Sequence, residues 1–260
     1  MIRGLYTSAI GMGIQQKRLD AASNNLANAD TTGFRRDIVV TQSFSDVLAL
    51  RVRDFEMRGF NVVGNMDLGP MSMGVTINTV HRDFAMGQLT PTGSALNLAL
   101  DEIGFFRVNF VNNDGEMTEM FTRDGTFTLN PDGYLVTAGG FAVLDDGGDP
   151  INIPSGEIVI DNRGNITVGG AAVATIGLVS FESLADLRPF GHNFYTAIPE
   201  AVEIPFTGNL LQGYRESSNV NVVQEMVNMI AISRAYEANS RMVSIQDETL
   251  RQAVSELARA

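Results

Sequence analysis

The chain has 260 residues, of which 44% are hydrophobic and 18% charged, a composition that indicates an ordered protein of one or two domains. Its net charge of −12 argues against a nucleic-acid binder, because phosphate recognition needs a basic surface. Cysteine is absent, which excludes thiol catalysis, disulfides, iron–sulfur clusters and cysteine-bound zinc.

The first predicted element is an N-terminal helix. Apolar residues recur alternately three and four positions apart, which is the pattern of a helix that packs lengthwise on another helix. Gly11 and Gly13 each cost this helix about 1 kcal/mol relative to alanine, so an isolated peptide should be weakly helical. The residues expected to pack against other subunits are Leu5, Met12, Leu19 and Leu26.

A stretch rich in Asn, Asp and Gly follows and predicts the end of the helix. Asn24, Asn25, Asn28 and Gly33 are expected to set that end and the outward turn, because these residue types tolerate turn conformations. Polar residues interrupt the apolar ones near the N-terminus, so no cleaved secretory signal is expected. No apolar run approaches about 18 residues, so no membrane insertion is expected either.

Residues 1–36 are therefore predicted to be the N-terminal helix and turn of a helical domain. Residues 37–75 are predicted to form an extended connector, because residues 51–74 hold scattered glycine and methionine without a firm period.

Residues 76–212 are predicted to form a central all-β domain. Short runs alternate between apolar and polar residues, and turn sequences separate them at intervals of about 16 to 18 residues. Residues 186–213 hold three prolines and are expected to be irregular. The turn sequences are 112–115, 130–133, 145–148 and 162–165, and the core is predicted to include Phe141, Val143, Ile151, Ile153, Ile158, Ile160, Ile166 and Val168.

Residues 213–260 are predicted to contain a long C-terminal helix. Asn221 is a candidate N-cap, with Gln224 three residues later as in a capping box. A helix from Val222 to Arg259 would span roughly 57 Å, whereas helices in globular proteins average about 10–14 residues. The residues expected to pack are Val222, Met226, Met229, Tyr236, Val243 and Leu250.

These elements predict an α+β protein in which the long N- and C-terminal helices pair as a coiled-coil-like domain beside a central all-β domain. The alternative is that both are ordinary core helices lying on one domain. Because a two-helix pair covers only part of each apolar stripe, the remainder is expected to face another molecule. We also expect the ends to be disordered in the free monomer and to fold on packing.

No catalytic or cofactor-binding motif is recognisable. The single lysine, Lys17, does not follow a glycine, which excludes a P-loop, and the Gly-x-Ser-x-Gly and His-Glu-x-x-His motifs are absent. Asp145, Asp146 and Asp149 could hold a calcium ion, but acidic residues with glycines are also what hairpin turns need. A structural protein without catalytic residues, cofactor or metal is favoured over an enzyme.

Motifs at both ends of the chain resemble the signatures of the bacterial flagellar rod and hook proteins, and the likeness extends through most of the middle. At the N-terminal end they are Ile2-Arg3-Gly4-Leu5-Tyr6-Thr7-Ser8-Ala9, residues 15–20, Asn24-Asn25-Leu26-Ala27-Asn28 and Thr32-Gly33-Phe34-Arg35-Arg36. At the C-terminal end they are residues 218–230 and Arg234-Ala235-Tyr236-Glu237-Ala238-Asn239-Ser240. The central ones are Gly104-Phe105-Phe106, Thr122-Arg123-Asp124-Gly125 and residues 135–140.

The resemblance implies a structural subunit of the basal-body rod, which self-assembles through its terminal helices into the tubular drive shaft that transmits torque. Its expected partners are copies of itself, other rod proteins above and below, and the flagellar export apparatus, which passes such chains without a cleaved signal. The expected location is the rod where it crosses the periplasm. The proximal rod type is favoured, because the distal type's own signature is not evident after Asp37; the distal type remains the alternative.

A remoter alternative is a secreted β-domain enzyme acting on glycans and oligomerised by its helices. On the rod interpretation, the charge distribution indicates which parts of the subunit face inward and outward. Residues 1–58 carry a net charge of +2 and residues 219–260 a net charge of −1, whereas residues 59–218 carry −13. Nearly neutral ends can pack densely against identical copies, and an acidic middle that faces outward keeps the subunit soluble.

Overall fold

The computed structural model describes residues 2–43, 75–111, 117–191 and 193–257, and the chain divides into two units. The helical unit comprises Met1–Ala27, Asp37–Asp83 and Asn221–Ala260, and the β-rich unit comprises Asn28–Arg36 and Phe84–Val220. Most of the predicted connector and the predicted turn at 112–115 lie outside the described residues.

The described residues of the helical unit include two helices, α1 (Ile2–Ala27) and α2 (Val222–Leu257). The α+β class is thereby confirmed at the level of two terminal helices and a β-rich middle. The 36 residues of α2 span about 54 Å at roughly 1.5 Å per residue. Within the described residues, no helix combines the length and apolar character that a membrane crossing requires.

The predicted N-cap of α2 is confirmed. Asn221 Oδ1 accepts the backbone N–H of Gln224 at 3.0 Å, which satisfies one of the donors that a helix leaves free in its first turn. The side chain of Gln224 donates to Asn228 Oδ1 at 3.2 Å. The N-cap bond is therefore the part of the capping box that forms.

The two helices contact each other in antiparallel register. A Cβ placed on Gly4 would collide with the amide end of Gln246, and one placed on Gly11 would lie 3.0 Å from Asn239 Nδ2. A step of seven residues forward on α1 thus matches a step of seven residues backward on α2. The glycines let the helices approach closely, so Gly11 has a packing role that offsets its cost in helix propensity.

An antiparallel pair of strands, β1 (Asp37–Ser43) and β2 (Val75–Arg82), completes the described part of the helical unit. Asn25 at the end of α1 holds β1 through its side-chain amide. Its Nδ2 donates to the carbonyl of Asp37, and its Oδ1 accepts the N–H of Asp37, both at 2.9 Å. Arg82 on β2 pairs with the Asp37 carboxylate at 2.8 Å.

The β-rich unit is built from antiparallel strands. The strands among its described residues are β3 (Leu89–Pro91), β4 (Leu98–Leu100), β5 (Phe105–Val111), β6 (Met117–Thr122), β7 (Phe127–Leu129), β8 (Leu135–Thr137), β9 (Ala142–Val143), β10 (Ile158–Ile160), β11 (Asn165–Val168), β12 (Ala171–Thr175), β13 (Leu178–Phe181), β14 (Leu187–Gly191), β15 (Phe194–Ala197), β16 (Glu203–Pro205), β17 (Leu210–Gln212) and β18 (Tyr214–Glu216). Nine of these strands form the largest sheet, in the order β14-β15-β6-β5-β9-β8-β7 with β13 on β5 and β16 on β13. The smaller sheets are β10-β11-β12, β17-β4 and β18-β3.

Asx turns close the predicted hairpins. Between β7 and β8, Asn130 Oδ1 accepts the N–H groups of Asp132 and Tyr134 at 3.0 and 2.8 Å. Between β10 and β11, Asp161 Oδ1 accepts those of Arg163 and Asn165, both at 2.9 Å. These side chains supply the acceptors that the turning backbone needs, which is why the turn predictions at these two places are confirmed.

The predicted core is confirmed. Six of its eight residues are buried, and Phe141 and Ile158 pack against the same cluster while remaining partly exposed. The six are Val143, Ile151, Ile153, Ile160, Ile166 and Val168.

The expectation that residues 186–213 are irregular is wrong, because β14 to β17 lie there. Pro189 and Pro205 are compatible with strands since β14 and β16 lie at edges of the sheet, where a missing N–H costs no ladder bond.

Candidate assembly surface

Among the described residues of the helical unit, the most exposed apolar side chains lie on α2. All 36 residues of α2 are described, and Glu225 is the only one among them whose side chain is buried. Apolar patches of this kind on a soluble chain mark places where another molecule binds. The exposed large apolar side chains are Val223, Met226, Val227, Ile230, Tyr236, Met242, Ile245, Val254 and Leu257.

The C-terminal end of α2 extends past α1. In the register of Gly4 with Gln246, the first residue of α1 lies opposite Glu248, so residues 249–257 have no counterpart on α1. Val254 and Leu257 in this segment are 64% and 79% exposed. The segment therefore presents apolar surface that α1 does not reach.

The predicted stripe of α1 lies beside the row that is buried within the helical unit. Leu5, Met12, Leu19 and Leu26 are all half-buried. Among residues 4–27 of α1, the buried side chains are Ser8, Ile14, Ala22 and Asn25.

Sequence periodicity weighted the large apolar residues, whereas the small residues Gly4 and Gly11 permit the close approach of the two helices. The recurrence of small residues at positions 4, 8 and 11 was the available signal.

The predicted stripe of α2 is divided between half-buried and exposed residues. Met226 is 48% and Tyr236 40% exposed. The other four members, Val222, Met229, Val243 and Leu250, are half-buried. None of the ten predicted packing residues on the two helices is buried, so each retains surface that could contact a second molecule.

The predicted turn residues occupy different environments. Asn24 is exposed on α1. Asn25 is 2% exposed, and its side-chain amide makes two hydrogen bonds with the backbone of Asp37. In the β-rich unit, the Asn28 carbonyl accepts the Thr31 N–H at 3.1 Å. The helix ends at Ala27, immediately before this turn.

Gly33 has a backbone conformation and surroundings that require glycine. Its φ is +65°, in the left-handed region that side chains disfavour. A Cβ at this position would lie 2.8 Å from the carbonyl carbon and oxygen of Arg123. Both facts follow from its position in the turn, packed within the β-rich unit.

A buried ion cluster beside Gly33 was not predicted from the sequence. Arg35 Nη1 lies 2.7 Å and Arg123 Nε 2.6 Å from the two carboxylate oxygens of Glu216, and all three residues are 2% exposed. Burial alone would raise the pKa of Glu216, but Arg123 and Arg35 outweigh it and hold that pKa below its ordinary value of 4.5. Arg35 and Glu216 are 181 positions apart along the chain, and Arg123 lies between them. Local sequence patterns therefore cannot predict that the three residues are in contact.

The acidic turn considered for calcium uses its carboxylate differently. Asp145 Oδ1 accepts the backbone N–H groups of Gly147 and Asp149 at 2.8 and 2.9 Å. Among the described residues, no three of His, Asp and Glu cluster closely enough to hold a metal ion. This turn thus has the hydrogen bonds of an Asx turn, and nothing in its geometry adds support for a cation.

Three family models match successive parts of the chain. Residues 5–35 match the flagella basal body rod protein model, and residues 99–168 match the D1 domain of the flagellar hook protein FlgE/F/G. Residues 211–256 match the C-terminal model of the flagellar basal body rod FlgEFG proteins. The first and last of these models cover most of α1 and α2, where the exposed apolar surface lies.

Curated relatives match over nearly the whole length. The flagellar basal-body rod protein FlgF of Caulobacter vibrioides is 35% identical, covering 99% of this chain and 98% of that protein. FlgG of Buchnera aphidicola is 33% identical, covering 96% of this chain and 98% of that protein. FlgG of Bacillus subtilis is 32% identical, covering 98% of this chain and 99% of that protein. This chain therefore belongs to the flagellar basal-body rod protein family and is a structural subunit of the rod, not an enzyme.

Proposed function

We propose that the chain polymerises through α1 and α2 into the tubular shaft that transmits torque. The observation that carries this proposal is the single buried side chain on the 36-residue α2. A helix of that length with nine exposed large apolar residues is stabilised mainly by contacts outside its own chain. The ten predicted packing residues, all retaining exposed surface, are proposed to make some of those contacts.

We further propose that the two helices pack as a coiled-coil-like pair within one subunit. The contacts of Gly4 with Gln246 and of Gly11 with Asn239 support this, because they are one heptad apart on both helices. Small residues at the shared seam bring the axes close together. Larger apolar residues such as Leu5 and Met12 then remain at the flank, available to neighbouring subunits.

The proposed partners are copies of this chain and other rod proteins above and below it, which agrees with its membership of the rod family. Export through the flagellar apparatus without a cleaved signal, and the absence of membrane insertion and of nucleic-acid binding, remain part of the proposal. The proximal rod is the favoured position and the distal rod the alternative, as the sequence after Asp37 indicates.

An assembly assay tests the proposal. Ile230→Asp places a charge on the apolar face at a 57% exposed site, where it should leave the monomer folded and prevent polymerisation. Ser244→Asp is the matched control, since Ser244 is exposed on the same helix and already polar. Sedimentation and electron microscopy of the purified chain give the readout, with swimming of a strain that depends on the variant as the second measure.

We expect the Ser244→Asp chain to assemble and to support swimming, and the Ile230→Asp chain to do neither. Normal assembly of Ile230→Asp would remove the support for α2 as the packing surface. Gold labelling of an epitope-tagged chain in isolated basal bodies distinguishes the two positions: label on the half of the rod nearer the cell interior supports the proximal rod, and label on the outer half the distal rod.

A further inference from the structure

The chain passes between its two units four times, after Ala27, Arg36, Asp83 and Val220. In the β-rich unit, the segments that begin or end at these crossings are residues 28–36, residues starting at Phe84 and residues ending at Val220. Each segment contributes to one small group of contacts, in which Glu216 and Asn219 are the central residues.

Glu216 binds two of the segments with its side chain and backbone. Its Oε1 accepts the N–H of Gly87 at 2.9 Å and lies 2.7 Å from Arg35 Nη1, and its carbonyl accepts the N–H of Gly33 at 2.9 Å. Its Oε2 accepts the Nε–H of Arg123 at 2.6 Å. Glu216 is thus bonded to the segment before Arg36, to the segment after Asp83 and to the body of the unit.

Asn219 binds the same two segments three residues further along. Its Oδ1 accepts the N–H of Arg36 at 2.8 Å, and its Nδ2 donates to the carbonyl of Ala85 at 3.0 Å. Its backbone N–H donates to the carbonyl of Phe34 at 3.4 Å, and Phe34 itself is buried. All four crossings therefore leave the β-rich unit from segments bonded to one another.

The cluster is anchored in the body of the β-rich unit by Arg123. Its two Nη groups donate to the carbonyls of Gly104 and Leu100 at 2.6 and 2.9 Å. Every charge in the cluster is therefore paired or hydrogen-bonded, as burial requires. Removing the carboxylate would leave two buried guanidiniums without their anion, so the contacts should be lost together.

We infer that Glu216 and Asn219 make the four chain crossings into one mechanical joint, which is formed in the free subunit and does not depend on helix assembly. In such a joint the three segments open together, whereas independent segments would open one at a time. Three of the motifs that carry the family resemblance meet here, since they supply Arg35, Arg123 and Asn219.

Hydrogen exchange of the full-length chain, kept monomeric by low concentration, tests this inference. The amides of Gly33, Arg36 and Gly87 report on the joint, because each donates to Glu216 or Asn219. We expect all three to be protected in the wild-type monomer. Lack of protection there would overturn the inference, since the joint would not exist before assembly.

Two variants then ask whether the contacts form one unit. Glu216→Gln should speed exchange of the three amides at least tenfold, while the amides of the core strands keep their protection. Glu203→Gln is the control, because it removes an ion pair with Arg107 at partly exposed side chains elsewhere, and the three amides should not change. Unchanged exchange in Glu216→Gln would contradict the inference.

Asn219→Ala tests whether the contacts open as one unit, even if the Glu216→Gln variant fails to fold. Among the three reporter amides, the Asn219 side chain accepts only from Arg36. In one cooperative joint, the amides of Gly33 and Gly87 also exchange faster, by a similar factor. Faster exchange of Arg36 alone means independent linkers and refutes the joint.

Discussion

The two units of this chain use their apolar residues in opposite ways. The β-rich unit buries a continuous cluster that includes Phe106, Val108 and Leu135 at 0% exposure, whereas α2 buries Glu225 and leaves nine large apolar side chains exposed. A buried cluster stabilises the unit that contains it, and an exposed one can stabilise only what binds to it. The contrast underlies the proposal that the helical unit is completed by assembly, whereas the β-rich unit contains its own core.

The strongest way to sharpen this contrast is a pair of truncations. Phe106→Ala removes a fully buried ring that packs edge-to-face on Phe127 at 5.1 Å, and should lower the free energy of unfolding by about 3–5 kcal/mol. Ile245→Ala, at a 58% exposed site on α2, should change the free energy of unfolding by no more than about 0.5 kcal/mol. Urea denaturation of the monomer, followed by far-ultraviolet circular dichroism, measures the free energy of unfolding of both variants. Equal losses would contradict the contrast between the two units.

The buried ion cluster gives the β-rich unit a dependence on pH. Glu216→Gln should cost about 3–5 kcal/mol at neutral pH, because it leaves two buried guanidiniums without their anion. The folded-state pKa of Glu216 lies below its ordinary value of 4.5, so its stabilisation is present above 4.5 and is lost as the pH falls through the folded-state pKa.

The difference in stability between wild type and Glu216→Gln should therefore shrink in acid. The pKa of Asp124 is shifted the other way, because burial raises it more than the hydrogen bonds from Thr126 lower it. Asp124 is present in both proteins, so its effect cancels in the difference. Denaturant titrations of both chains between pH 7 and pH 3 provide the measurement. A difference that stays constant over this range would show that ionised Glu216 is not the source.

A smaller effect distinguishes conformational strain from collision in the β-rich unit. Gly33 and Gly93 have similar left-handed backbones, with φ of +65° and +71°, but only Gly33 has backbone atoms where a Cβ would lie. Gly93→Ala should cost about 1–2 kcal/mol from strain alone, and Gly33→Ala should cost more. Thermal unfolding of the two variants gives the comparison, and equal costs would mean that the turn at Gly33 can move away from Arg123.

The smallest effect concerns the helical unit. A Cβ added at Gly13 would have no neighbouring atom of the described residues within 4 Å, so Gly13→Ala should stabilise α1 by up to about 1 kcal/mol. Gly11→Ala gains the same helix propensity but places a methyl group 3.0 Å from Asn239, and should gain less. Far-ultraviolet circular dichroism during thermal unfolding of the assembled protein reports on both variants, and a larger gain at Gly11 would contradict the close approach of α1 and α2.

Features that depend on nearby residues were predictable from the sequence. The N-cap at Asn221 and the turn at Asn130 each involve residues two to four positions apart, and the alternation of Ile151 and Ile153 placed both in the core. Features that depend on distant residues were not predictable. The residues next to Arg35, Arg123 and Glu216 in the sequence give no indication that the three side chains form ion pairs. The prolines of residues 186–213 suggested irregular structure, although two of the strands there lie at the edge of a sheet, where proline is tolerated.

The two terminal helices were predictable, but the rows that they bury were not. Heptad spacing identified both helices, because that pattern is a property of each helix alone. Which row faces the companion helix depends on how closely two helices approach. Gly4 and Gly11 set that distance, because they have no side chain at the contact. A search for the periodicity of apolar residues does not detect such small residues.

The central claim is that α2 is completed by assembly, and hydrogen exchange along α2 in the free and assembled protein tests it most directly. In the free subunit, amides from Val223 to Ile245 should exchange quickly compared with those of the β-rich core, which burial protects in both states. In the assembled rod, the same amides of α2 should become strongly protected. Strong protection of α2 already in the free subunit, or no gain on assembly, would contradict the claim.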